Sequence, residues 1–301
     1  MNTTQRTNLR AKAAGGYITL PPITKNKHAE VYYRKALDQE MDKMLDAMIN
    51  EIKRAYTTIP VQNAKLTEAE RLVRLRRILR RLKTQYGKTL DKNVEKIIQK
   101  YIRIASADVY ASVEKAFNGV YGKNFTLRFD TRKYGRILKI VAQKNALLIN
   151  TTAMQVVSNV TNITFDGVTT GQSWRLVEKD LRKQHHIAQD RIKRIARDQT
   201  AKLNENINEK AQRDAGVEFF EWMTANDERV SKGYGGHEQL DGKIYKWGDN
   251  AHYPIIDTYG TRGVPGQRVN CRCTAIGVIL QKDYEAHRTS AGDWIITKGR
   301  L

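Results

Sequence analysis

Long apolar runs are missing from this sequence. No stretch approaches the roughly 18–20 uninterrupted apolar residues of a membrane-spanning helix; patches such as Ala146-Leu147-Leu148-Ile149 are short. The opening Met1–Lys12 is polar and basic, without the apolar core of a secretory signal. Cysteine is nearly absent. Cys271 and Cys273 supply no disulfide framework, and with one residue between them a mutual bond would close a strained ring. They read as reduced thiols or metal ligands in a reducing compartment, and the chain is expected to be made as a soluble cytoplasmic protein. Proline is also rare, at 5 residues, and no long Gly/Ser tract occurs, which excludes disorder throughout. Acid is scarce relative to base: 32 Asp+Glu against 53 Lys+Arg, a formal net charge of +21, with a pI near 9.9. Such an excess points to a polyanionic partner, because each cation that neutralises a phosphate releases a condensed counterion. The plain alternative is a charge that only keeps the protein soluble.

What is present is mostly helical. Residues 1–27 form an expected flexible basic arm, punctuated by Gly15-Gly16 and Pro21-Pro22. Tyr33, Leu37, Met41, Met44, Leu45, Met48 and Ile52 then recur at helical spacing, and this Met-rich stripe reads as core. Thr67 and Glu70 form a capping box opening a second helix with a seam of Leu72, Leu75, Leu79 and Leu82. Arg71, Arg74, Arg76, Arg77, Arg80, Arg81 and Lys83 clothe its other faces with no acid between them. Like charges so close repel unless something negative lies nearby. Duplex DNA would serve; so would acidic residues of another helix. A third helical run spans Leu90 to about Phe117, and 137–165 is helical again.

After the loop at 167–173, two basic helices are expected, Trp174–Lys183 and Ala188 to about Ala211, joined at Gln184-His185-His186. They read either as an ordinary helix pair or as a DNA-reading helix-turn-helix presenting Arg191, Lys193 and Arg194. Gly216 should end the last helix. Beyond it, strand-like pieces (217–222, 243–245, 273–279) alternate with Gly-, Asp- and Pro-rich turns. The expected fold is α+β: a mainly helical body over 28–215 and a small C-terminal α+β domain over 216–301.

The tail contains an ordered series: Trp222, Thr224, Asp227, Arg229-Val230, His237, Leu240-Asp241-Gly242, Pro265-Gly266 and Asn270-Cys271-Arg272-Cys273. Ile195-Ala196-Arg197-Asp198-Gln199-Thr200, then Asn204 and Gly216-Val217, precede it. Together these resemble the phage Mu F-like head-morphogenesis family over roughly residues 140–280. The resemblance implies a non-enzymatic minor head protein of a tailed bacteriophage, present at low copy in the capsid interior and acting in head assembly or in DNA packaging or ejection. It implies portal or major capsid protein and sequence-independent duplex DNA as partners, with no membrane. Arg197, Thr200, Trp222, Thr224, Asp227, Arg229, His237, Gly242, Asn270, Cys271, Arg272 and Cys273 are the matching family positions. Some relatives carry toxin or ADP-ribosyltransferase domains after this module; here about 20 residues follow it, too few for one.

The residues themselves allow one further chemistry. On a strand, Cys271 and Cys273 would project from one face, and with His237 and Asp227 they could complete a zinc site. The Cys-x-Cys spacing departs from the usual Cys-x₂₋₄-Cys. The competing reading is buried thiols that fill space, with His237 and Asp227 bonding turns. No cofactor is otherwise expected. No phosphate-binding Gly-rich loop, nucleophile elbow or His-Glu-x-x-His occurs. The alternative to a head protein is a metal-dependent nucleic-acid enzyme or delivered effector built on the same Cys/His/Asp cluster, with Asp241 as a further candidate acid.

Overall fold

The computed structural model describes residues 16–23, 27–58, 68–121, 126–127 and 131–299. A short strand, β1 (Tyr17–Thr19), precedes four long helices: α1 (Lys27–Thr58), α2 (Glu68–Tyr121), α3 (Thr131–Thr169) and α4 (Trp174–Asp214). Five strands follow: β2 (Phe219–Met223), β3 (Ile244–Lys246), β4 (Thr274–Leu280), β5 (Tyr284–Arg288) and β6 (Trp294–Lys298). Short 3₁₀ turns occur at Glu238–Leu240 and Asn250–His252. The α+β expectation is met.

Two compact units divide the chain, and the division differs from the expected boundary near 215. The helical unit comprises residues 28–103 and 132–197; the other comprises the sheet with the described parts of 1–27, 104–131 and 198–301. The last turns of α4 thus group with the sheet.

In the helical unit the stripe on α1 is core: Tyr33, Leu37, Met41, Met44, Leu45, Met48 and Ile52 are all buried. Tyr33 stacks on Tyr101 with ring centroids 4.2 Å apart and donates from its hydroxyl to Asn145 Oδ1 at 2.9 Å. Leu75, Leu79 and Leu82 of α2 are buried too. Two expected breaks are overturned. Helix α2 runs on through Gly87, where two helices were expected. Helix α4 is continuous from Trp174 to Asp214, so there is no turn at 184–186 and the helix-turn-helix reading fails. Neither Gly nor Pro stands there to break it. Tertiary bonds hold the joint helical instead: Gln184 Oε1 accepts from Asn159 at 3.0 Å, and His185 Nδ1 lies 2.8 Å from Asp42.

In the second unit, Gly216 ends α4 as expected. Its φ is +81°, its N–H reaches the carbonyl of Arg213 at 3.0 Å, and Val217 N–H reaches that of Gln212 at 2.9 Å, the paired bonds of a Schellman cap. The chain then enters a six-stranded antiparallel sheet ordered β1-β4-β2-β3-β6-β5. The period of two separates its faces. Phe220, Trp222, Tyr245, Cys273 and Ala275 fall in one buried cluster, Phe219, Ile244 and Val278 in another. Part of the expected arm is structured: Tyr17 and Thr19 pair with Leu280 and Val278, Gln281 N–H bonds Gly16 O at 2.9 Å, and Leu20 is buried. Residues 1–15 and 24–26 of that arm and the expected capping residue Thr67 lie outside the described residues.

Candidate metal centre and family motif

The scattered motif residues of the tail close into one site. His237 sits in the turn region after β2, while Cys271 and Cys273 lie on the segment leading into β4. All three are buried. Nδ1 of His237 is 3.5 Å from Cys271 Sγ and 3.4 Å from Cys273 Sγ, and the three candidate ligand atoms lie within 4.8 Å of one another. The far nitrogen, Nε2, is 3.2 Å from the carbonyl of Ile256. A carbonyl can only accept, so Nε2 holds the proton and Nδ1 presents its lone pair to the sulfurs. Trp222 closes over the imidazole edge-on at 5.2 Å.

The Cys271 thiol is activated. The hydrogen bond with Cys273 leads, with the N–H of Gly266 adding to it, in pulling Cys271 below the usual thiol range against the opposing effect of burial. That N–H is 3.4 Å from the sulfur. Gly266 has φ +83°, and a Cβ there would fall 2.5 Å from Glu205 Cγ, so the close approach requires glycine.

Asp227 is not part of this cluster among the described residues, which corrects the four-ligand expectation. Arg272 engages both its oxygens, Nη2 to Oδ1 at 2.5 Å and Nη1 to Oδ2, while Arg229 N–H donates to Oδ1 at 3.0 Å. The bond to Arg272 leads in holding its carboxyl far below the ordinary range. A folded-state pKa below the unfolded value, about 3.9, contributes stability that is present above that value and lost as pH falls below it. Asp227→Asn should therefore lower the urea midpoint at neutral pH, and the gap from wild type should close as the series is carried below about pH 4. A gap that stayed constant with pH would show that the ion pair contributes nothing.

Asp241 is likewise engaged, accepting from Thr224 N–H at 2.7 Å and its hydroxyl at 2.9 Å, beside Gly242, whose N–H bonds Trp222 O. Asn270, at φ +58°, donates its N–H to Asp198 Oδ1 at 2.7 Å. Thr200 is buried and Arg197 exposed on α4. Sequence reasoning did not single out Glu205, buried on α4, which binds Thr274 Oγ1 at 2.6 Å and Ala275 N–H at 3.1 Å. Its signal was an acid between Leu203 and Ile207 on an apolar helix face. Nor did it single out Arg268, which donates to Ser231 Oγ at 3.3 Å. With Arg229 and Arg272, Arg268 lines a cleft of about 200 Å³ that also reaches His237, Cys271 and Cys273.

The cationic candidates all lie on the helical unit. Arg74, Arg76, Arg77, Arg80 and Lys83 are exposed on α2; Arg76 also lies over the Phe165 ring at 5.5 Å. Arg81 departs from the expectation of an uncompensated row, because Glu51 of α1 pairs with it at 2.6 Å. The side chain of Arg71 lies outside those described. Lys193 and Arg194 are exposed on α4, and Arg191 is half-buried.

The family model described as "Phage Mu protein F like protein" matches residues 158–276. That segment, which includes every motif residue described above, is similar to the phage Mu F-like domain. A protein of Haemophilus influenzae Rd, described as uncharacterized, is 24% identical over 266 residues, covering 86% of this chain. The chain spans 55% of that relative, about half its length. No solved structure matches.

Proposed function

We propose that the protein is a minor head component of a tailed phage, held in the capsid interior after assembly in the host cytoplasm and acting without catalysis in head assembly or in DNA packaging or ejection. The similarity to the Mu F-like domain supports the head role. One observation supports contact with packaged DNA: Arg74, Arg76, Arg77 and Arg80 are exposed along about two turns of α2, without an ion-pair partner among the described residues. An arginine row of this kind meets phosphates and reads no sequence. The portal or major capsid protein is the proposed docking partner. No described helix is long and apolar enough to cross a membrane.

The test is duplex binding by the full chain across a salt series. Each phosphate contact contributes about 0.9 to the fall of log K with log salt, so four contacts give a slope of about −3.6 or steeper, alike for unrelated sequences. A flat salt dependence would remove DNA from the proposal and leave acidic head proteins as the partners of this surface. The enzyme reading has less support: Asp227 and Asp241, the acids it would use, are committed to Arg272 and to Thr224.

A further inference from the structure

Two sulfurs converge on a single lone pair. With Nε2 protonated toward Ile256, Nδ1 of His237 can accept one thiol hydrogen bond, yet Cys271 and Cys273 stand almost equally close to it, at 3.5 and 3.4 Å. One thiol–imidazole hydrogen bond accounts for only one of the two sulfurs at that lone pair. A tetrahedral metal accounts for both: Zn–S bonds of about 2.3 Å and a Zn–N bond of about 2.0–2.1 Å, at the tetrahedral angle, set sulfur and nitrogen about 3.5 Å apart.

We propose that His237 Nδ1, Cys271 Sγ and Cys273 Sγ bind one zinc ion, with the fourth coordination position open to the arginine-lined cleft. Two thiolates and a neutral imidazole suit zinc, a borderline-soft ion. The two thiolate charges cancel that of Zn²⁺, so the buried site carries no net charge, whereas a bare buried thiolate pair would be costly. The carbonyl of Ile256 on the far ring nitrogen is the usual outer partner of a metal-bound histidine. No further His, Cys, Asp or Glu joins the cluster among the described residues. The cleft, which touches all three ligands, is the entry path and leaves the fourth place to water or an incoming donor. The short Cys-x-Cys spacing is accommodated because both cysteines, just before β4, reach the same imidazole.

The experiment equilibrates the full-length reduced chain with Zn²⁺, removes unbound metal and measures metal content. About one zinc per chain is expected, falling to roughly a tenth or less in Cys271→Ser, Cys273→Ser and His237→Ala. Since these variants can fail to fold, the wild-type chain is also loaded with Co²⁺. Tetrahedral visible bands together with a thiolate-to-cobalt charge-transfer band support the site. Zinc well below one equivalent in the wild type overturns it. So does a cobalt spectrum without thiolate charge transfer, or full zinc retention in a folded cysteine variant.

Discussion

Replacing Arg74, Arg76, Arg77 and Arg80 together by Gln is expected to weaken duplex-DNA binding by about a hundredfold near physiological salt and to make the salt slope shallower by about 3 to 4. The loss should be uniform across sequences, because phosphate contacts position a protein without reading bases. Neutral Gln keeps high helix propensity, and all four side chains are exposed, so the fold should survive. Arg81→Gln is the internal comparison. Its guanidinium is already paired with Glu51 at 2.6 Å and exposed, so it should change DNA affinity far less. An exposed ion pair contributes at most about 1 kcal/mol to stability. If the fourfold variant binds duplex as wild type does, the cationic face of α2 is not the DNA surface, and Lys193 and Arg194 on α4 become the place to look.

Trp222→Ala should be the most damaging single substitution in the sheet unit. Trp222 is fully buried, packs edge-on to His237 and faces Tyr245 at 6.4 Å. Truncating a buried Trp costs about 3–5 kcal/mol through lost burial and the cavity left behind, a large share of the roughly 5–15 kcal/mol that holds a domain folded. Amide exchange should accelerate strongly at β2 and at the β4 residues paired with it, Thr274 to Val278, while Trp222→Phe keeps most of the protection. Exchange unchanged in the Ala variant would mean that this core tolerates the cavity. The helical unit supplies the reference, since its amides, such as those packed around Tyr33 and Tyr101, should exchange as in wild type.

Much of the helical unit was legible in the residues. The stripe from Tyr33 to Ile52 and the seam of Leu75, Leu79 and Leu82 are buried as their spacing required, because a helix that hides one face imposes its period on the sequence. Breaks were less legible. Gly87 and Gln184-His185-His186 weaken a helix by fractions of a kcal/mol to about 1 kcal/mol, and packing overrides sums of that size. The partners that kept the second joint helical, Asn159 and Asp42, lie far away in the chain.

The site divides along the same line. The sequence by itself determined the residue types, their order and the family they resemble, along with the close spacing of Cys271 and Cys273. It also determined the cationic character of α2, since exposed charge is a property of composition and period. Only the tertiary structure decided which acid faces which base. Asp227, a ligand candidate by composition, is taken by Arg272, a pairing across 45 positions, while Arg81 finds Glu51 across 30. It likewise decided that Tyr17–Thr19 is a strand, because its partner is β4, and that His237 turns Nδ1 rather than Nε2 toward the thiols, because the carbonyl of Ile256 claims the other nitrogen. Pairings of this kind depend on distances that long-range folding sets, and local propensity holds no record of them.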